Sequence, residues 1–288
     1  MITDHISHVS DTAFWVAHYR GAEMTRPEPL FRDPLAARLA GERGRRVAAQ
    51  MPQPQMTRWV VTMRTLLIDA YIREAIAAGV DTIVNLGAGL DTRPWRLELP
   101  PTLRWVEVDY PHVIAFKQEQ LQGEQPHCHL EQVALDLADV PARRVLLARL
   151  DAQAQKLLVL TEGVIVYLDV EAVAALADDL AALPHLVGWV TEYISPASIA
   201  ARRRAGLEAR MQNAPFRFKP ADWHGFFAEH GFVARSMHYL ADEAARVHRP
   251  APLPWQARLL MKLLYRFASP ERREGFRRAA GYAWLAPR

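Results

Sequence analysis

Ile83-Val-Asn-Leu-Gly-Ala-Gly-Leu-Asp-Thr-Arg-Pro-Trp95 opens with four β-compatible residues and breaks at Gly87-Ala88-Gly89. The pattern predicts a buried strand running into a turn where the backbone passes close to something bulky, because glycine has no Cβ and tolerates positive φ. A dinucleotide-binding turn would carry a third glycine at position 92, letting a helix N-terminus approach a pyrophosphate. Here Thr92 stands at that place and Asp91 precedes it. An acid beside the turn repels phosphates, whereas it suits an ammonium group or a sulfonium-bearing ligand.

Working outward, the segment before this strand reads as an amphipathic helix over Met56 to Ala78, with apolar residues at 56, 59, 60, 63, 66, 67, 70 and 71. Arg64 lies at the edge of that stripe, where a solvated charge is the plain reading and a carboxylate clamp the sharper one. Further upstream, residues 1–55 carry helix-like pieces broken by prolines, with a short helix expected from Asp33-Pro34 to Ala40. They could cap a site, although an ordinary surface extension fits the pattern as well.

Downstream, a second strand, Leu103 to Val108, ends in Glu107-Val-Asp109-Tyr-Pro111. Asp109 follows Gly89 by twenty residues, the spacing at which an acid at the tip of the next strand takes a ribose diol. It also reads as a helix N-cap before Pro111. Strands follow at His129 to Ala134, Lys156 to Leu160 and Leu186 to Tyr193, with helices at Pro141 to Leu150 and Val170 to Leu183 between them. Asp136-Leu137 follows the third strand and Glu162 the fourth, the carboxyl ends at which an open α/β sheet binds its ligand. His127, Cys128 and His129 alternate along a strand and find no partner pair at zinc spacing, so no metal is expected.

Residues 194–220 interrupt the alternation with Arg202, Arg203, Arg204 and Arg210, then Pro215-Phe-Arg-Phe-Lys-Pro220, and read as a candidate substrate lid over the ligand edge, with a basic RNA-contacting surface or a plain solvated helix as the alternatives. Two last strands, Gly231 to His238 and Gly281 to Leu285, could add an antiparallel edge. The expectation is one α/β domain with a Rossmann-like, mostly parallel seven-stranded sheet and helices on both faces. It divides into a cap (1–55), a cofactor core (56–193), the lid (194–220) and a C-terminal part (221–288).

At 288 residues and half apolar composition, the chain can bury a large core. Its net charge of +3 is too small and too dispersed to announce nucleic acid as a partner, although 246–288 holds ten basic residues against two acids. A single cysteine excludes an intramolecular disulfide and fits a reducing compartment. The N-terminus lacks a signal-peptide pattern and no apolar run approaches about 18 residues, so a cytoplasmic enzyme with no membrane partner is expected.

These pieces together resemble the leucine carboxyl methyltransferase family, including bacterial members similar to polyketide carboxyl methyltransferases. The resemblance rests on Arg26-Pro-Glu-Pro-Leu-Phe-Arg-Asp-Pro34, Arg64, Val84 to Arg93, Glu107 to Pro111, Asp136-Leu137 and Glu162-Gly-Val-Ile-Val-Tyr-Leu168, in the family's order over about residues 15–195. It implies the class I fold, S-adenosyl-L-methionine as cofactor and methyl transfer as reaction. By the same resemblance Arg64 would clamp the methionine carboxylate, with Arg20 a second candidate. Gly87, Ala88 and Gly89 would let the backbone approach the cofactor, and Asp109 would hold the ribose. Asp136 and Leu137 would face the adenine, Glu162 would sit near the ammonium, and Asp91 would help balance the ligand's positive charge.

The implied acceptor is a carboxylate of a small acid, free or carrier-bound. A carboxylate needs no base, whereas a phenol or alcohol of a secondary metabolite would need one such as His18, His224 or His238. Tyr167 and Tyr193 are candidates for positioning the acceptor, with Trp223 a further pocket wall. Other readings are an RNA-modifying methyltransferase, a nicotinamide dehydrogenase, which Asp91 and Thr92 oppose, and a protein that only senses the cofactor.

Overall fold

The computed structural model describes residues 12–51, 53–204 and 215–288. Its centre is a seven-stranded sheet in the order β3-β2-β1-β4-β5-β7-β6. The strands are β1 (Thr82–Leu86), β2 (Arg104–Asp109), β3 (His129–Ala134), β4 (Leu157–Thr161), β5 (Leu186–Ile194), β6 (Phe232–Tyr239) and β7 (Ala280–Pro287). The first five pair in parallel; β7 inserts between β5 and β6, antiparallel to both. All seven strands stand within a residue or two of their expected places. The two C-terminal strands add the expected antiparallel edge, with β7 next to β5 and β6 outermost.

β1 and β4 are buried along their whole length, which is why they read as apolar runs rather than alternating ones. The helices are α1 (Thr12–Glu23), α2 (Pro34–Gln50), α3 (Pro54–Ala77), α4 (Arg93–Arg96), α5 (Pro111–Gln120), α6 (Val140–Asp151), α7 (Val170–Ala181), α8 (Pro196–Arg204), α9 (Trp223–Glu229), α10 (Leu240–Arg246), α11 (Trp255–Phe267) and α12 (Pro270–Arg277). Two apolar clusters hold the sheet. One joins Val84, Val106 and Val159 to α6, α7 and α9; the other joins Ile83, Trp105 and Leu158 to α3.

Two expectations near the N-terminus need correction. The helix expected to stop at Ala40 continues to Gln50 through a kink at Gly41, whose φ of 50° only glycine adopts without strain. The surface extension is in fact a packed layer. Trp15, Val16 and Tyr19 of α1 are buried against Val47 and Ala48 of α2 and Val61 of α3. Asp33 fastens this layer to the sheet: its carboxylate caps α2 by accepting from Ala36 N (3.0 Å), pairs with Arg20 Nε (3.0 Å) and accepts from Thr92 Oγ1 (2.7 and 2.8 Å). The cap is thereby tied to the turn after β1. No described helix is long and apolar enough to cross a membrane.

Candidate active site

The strand order reverses between β1 and β4, and such a switch point leaves a crevice outside the carboxyl ends of the strands. A cavity of about 330 Å³ lies there, of a size that suits a small molecule. Arg20, Arg64, Gly87, Ala88, Gly89, Asp91, Asp109, Asp136, Leu137, Glu162 and Tyr167 all line it. Residues from six separate stretches of sequence therefore converge on one place. Of the expected lid, Pro215 and Arg217 reach the cavity, Arg217 on a segment whose backbone N–H donates to Val166 O (2.8 Å). Arg210 lies outside the described residues, and the side chains of Arg202, Arg203 and Arg204 are not described.

Tyr193 is not brought to the cavity. Its ring stands edge-on to Trp223 (5.3 Å) and to Tyr239 (6.1 Å), so it and Trp223 belong to an aromatic packing cluster. Nor do the three candidate bases line the cavity. His18 lies beside Tyr19, with its pKa lowered by burial and by Arg58; His224 packs on Trp223, and His238 on Tyr71.

The glycine turn is shaped as its sequence requires. Gly87 has φ +71°, and a Cβ there would fall 2.5 Å from Val164 Cγ2; Gly89 has φ +52°. Asp109 Oδ2 accepts the Gly89 N–H at 2.6 Å and Oδ1 accepts the Tyr110 N–H at 2.7 Å. The twenty-residue spacing is thus a direct bond between two neighbouring strand ends. Tyr110, not Asp109, takes the N-cap position of α5. Burial pushes the Asp109 carboxyl above its usual range, against the two N–H donors.

Beneath the turn, four carboxylates (Asp33, Asp69, Asp91, Glu162) meet four guanidiniums (Arg20, Arg64, Arg93, Arg96) in a charge-balanced network. Arg93, fully buried, is its hub, donating to Asp69 Oδ1 (2.8 Å), Asp91 Oδ2 (2.9 Å) and Glu162 Oε2 (2.7 Å). Burial alone would raise Glu162; the Arg93 and Arg64 guanidiniums outweigh it and hold the carboxyl below its usual range. Asp91 is lowered in the same way, chiefly by Arg93 against burial. Asp91 also accepts from Asn85 Nδ2 (2.9 Å), so its carboxylate serves the turn as well as the cavity.

The plain reading of Arg64 as a solvated charge fails. Its Nε lies 3.0 Å from Glu162 Oε1, yet the two are misaligned for a hydrogen bond. Arg64 Nε, Glu162 Oε1 and the cavity-lining Asn85 Oδ1 are consequently buried polar atoms with bonding capacity to spare. Such groups are costly unless something completes them. A ligand carrying both a carboxylate and an ammonium beside a nucleoside fits this set of one cation, two acceptors, a ribose-binding acid and a glycine cradle.

Sequence reading missed Asn85 and the hub role of Arg93. A polar residue within the run Ile83-Val-Asn-Leu86 was the available signal for the first, and an arginine two places after an acid for the second. It also missed the α1 wall, because Thr12, Ala13, Trp15 and Val16 carry no motif.

The family model of leucine carboxyl methyltransferase matches residues 13–181, more than half the chain. A provisionally named S-adenosyl-L-methionine-dependent methyltransferase of Mycobacterium sp. (strain KMS) is 34% identical over 274 residues, covering 87% of this chain and 91% of that protein. One of Frankia alni is 31% identical over 276 residues, covering 88% and 94%. Among solved structures, a DUF574 family protein from Streptomyces avermitilis superposes with a TM-score of 0.53 at 16% identity, covering 94% of this chain and 97% of that one. A protein from Thermobifida fusca described as a methyltransferase gives 0.52 at 17% identity, covering 94% of both chains; at such identities the likeness concerns the fold. The chain belongs to the leucine carboxyl methyltransferase family and is an S-adenosyl-L-methionine-dependent methyltransferase.

Proposed function

We propose that this methyltransferase esterifies a carboxylate of a small acid, free or carrier-bound. The observation that carries the reading is Arg217. Arg64 is engaged with Glu162 and Arg20 with Asp33, whereas Arg217 lines the cavity with no ion-pair partner among the described residues. Its backbone N–H is tied to Val166 O, and the apolar residues Trp15, Val16 and Leu168 and the ring of Tyr167 line the same cavity. A single cation beside an apolar wall suits an acid with a hydrophobic body.

Bound S-adenosylmethionine supplies an activated methyl group, so the protein's task is to hold an oxygen in line with it, a positioning effect worth up to ~7–11 kcal/mol. In this reading Arg64 takes the methionine carboxylate, with Arg20 behind it, and Glu162 and Asn85 receive the ammonium. Asp109 holds the ribose, and Asp136 and Leu137 face the adenine. Asp91 keeps Arg93 and Asn85 in place while adding negative charge near the sulfonium, and Ala88 continues the backbone cradle. Glu192 accepts the Gly163 and Val166 N–H groups at 3.3 and 3.2 Å, bracing the short turn Ile165–Tyr167 that carries Tyr167 to the acceptor side. Arg217 holds the acid at its non-reacting oxygen or at a second acidic group. A tight ion pair on the reacting oxygen would slow attack.

The test is mass spectrometry of products after incubating enzyme and cofactor with a panel of acids and phenols, followed by mild alkali. A product that gains one methyl and loses it in alkali is an ester. An alkali-stable ether would overturn the reading in favour of a phenolic or alcoholic acceptor. With a turned-over acid, Arg217→Gln is expected to raise KM by roughly tenfold, as for loss of one charge-assisted hydrogen bond, with kcat little changed.

A further inference from the structure

Helix α11 stands apart from the cores that hold the sheet. Among the described residues it packs extensively on no other element, and its described large apolar side chains are turned to solvent: Trp255 is 69% exposed, Leu260 57% and Phe267 81%, with Leu259 and Leu263 about half exposed. At 100° per residue Leu259, Leu260, Leu263 and Phe267 fall on one side, with Trp255 at the margin. The sequence places Arg258, Lys262 and Arg266 along one border of that stripe, around Trp255 and with Arg266 next to Leu259, and no acid anywhere in the helix. The next helix, α12, continues both themes with Arg272 and a half-exposed Phe276.

We propose that α11 is a membrane-surface helix that seats the enzyme on an anionic lipid bilayer. Three features commit the face to lipid. An exposed apolar stripe of this extent in a soluble chain marks a contact surface. A row of cations flanking it, with Trp and Phe at the helix ends, is the pattern of helices that lie in the headgroup plane with the apolar side sunk into the acyl boundary. Charge selects the partner: Arg266 and Arg272 have no ion-pair partner among the described residues, and the tail from 246 carries ten basic residues against two acids. A second copy of the chain would bring like-charged rows together, whereas anionic headgroups neutralise them. At 13 residues the helix spans about 20 Å, enough to lie along a bilayer but not to cross it. The expectation of no membrane partner rested on the lack of a crossing segment, which this mode of contact does not need.

The test is flotation of the full chain with phosphatidylcholine vesicles, with and without phosphatidylglycerol, at low salt and at about 0.5 M salt, alongside sedimentation velocity without lipid. The protein is expected to float with the anionic vesicles and be released by salt. The double variant Leu260→Glu/Leu263→Glu is expected to lose vesicle affinity by about a hundredfold or more. Arg258→Gln and Arg266→Gln are each expected to lose about fivefold. Circular dichroism and cofactor binding should be unchanged in all of them, since these side chains hold no other element. Failure to float with anionic vesicles, equal affinity for neutral ones, or flotation indifferent to the leucine changes would each overturn the proposal. A dimer in sedimentation that the leucine changes dissociate would overturn it too, in favour of a protein interface.

Discussion

Replacing Arg93 with methionine is expected to lower the unfolding free energy by about 3–5 kcal/mol, the cost of removing one partner from a buried ion pair. Three carboxylates lose a donor at once: Asp69, Asp91 and Glu162. Each retains a secondary partner, namely Arg96, Asn85 and Arg64 respectively, which keeps the cost within that range. Arg93→Lys should recover little, because one ammonium cannot reproduce the fixed fork that reaches all three acids. Arg96→Met should cost clearly less, since Asp69 keeps its bond from Arg93.

The network also sets an acid limit. Asp69, Asp91 and Glu162 have folded-state pKa values below their usual range, so their contribution is complete above the ordinary carboxylate pKa of about 4 and is lost as pH falls through the lower folded values. The wild-type melting temperature should therefore drop steeply below about pH 4. In Arg93→Met the acids lose the cation that holds them ionised, so the stability difference from wild type should shrink as pH falls through that window. Urea unfolding of the three variants at neutral and acid pH checks both points. A loss under about 1 kcal/mol for Arg93→Met would show that the network does not brace the turn.

The sequence made much of this site legible because its parts are local. A strand running into Gly87-Ala-Gly89, and an acid at the next strand's end, are signals carried by a few neighbouring residues, and the structure joins them through one bond from Gly89 N to Asp109. Arg64 was harder. Helical periodicity assumes one dry side and one wet side, but α3 packs against α1, α10 and β7, so Thr62, Thr65 and Asp69 are buried along with its apolar residues and the supposed margin is interior. The N-terminal layer was illegible for a related reason. Apart from Arg20, its contribution to the cavity comes from Thr12, Ala13, Trp15 and Val16, side chains whose role depends wholly on where α1 is docked, and Asp33 reaching Thr92 across 59 residues helps set that docking. Tyr167 and Tyr193 read alike in sequence. What separates them is the turn Ile165–Tyr167 at the end of β4, which delivers one ring to the cavity, while the other lies in the β5 aromatic cluster.

Asp109→Ala is expected to weaken cofactor binding by about 1.5–3 kcal/mol, roughly ten- to 150-fold in Kd, the range for hydrogen bonds to a charged group. The carboxylate does two things that the substitution removes together. It holds the Gly89 N–H, fixing the turn that faces the cavity, and it presents an anionic acceptor at the end of β2, where a ribose diol would lie. Asp109→Asn separates them. The single amide oxygen can still accept from Gly89 but leaves the Tyr110 N–H without its acceptor, so the melting temperature should fall less than in Asp109→Ala, while the loss of charge should still cost about 1 kcal/mol or more in affinity. Because burial raises this carboxyl above its usual range, wild-type affinity should fall at a higher pH than an ordinary aspartate would give, and that acid limb should vanish in Asp109→Asn. Calorimetric titration with S-adenosylhomocysteine across pH reads all three effects. If both variants lower the melting temperature and leave Kd alone, Asp109 is a brace of the glycine turn and has no share in holding the ribose.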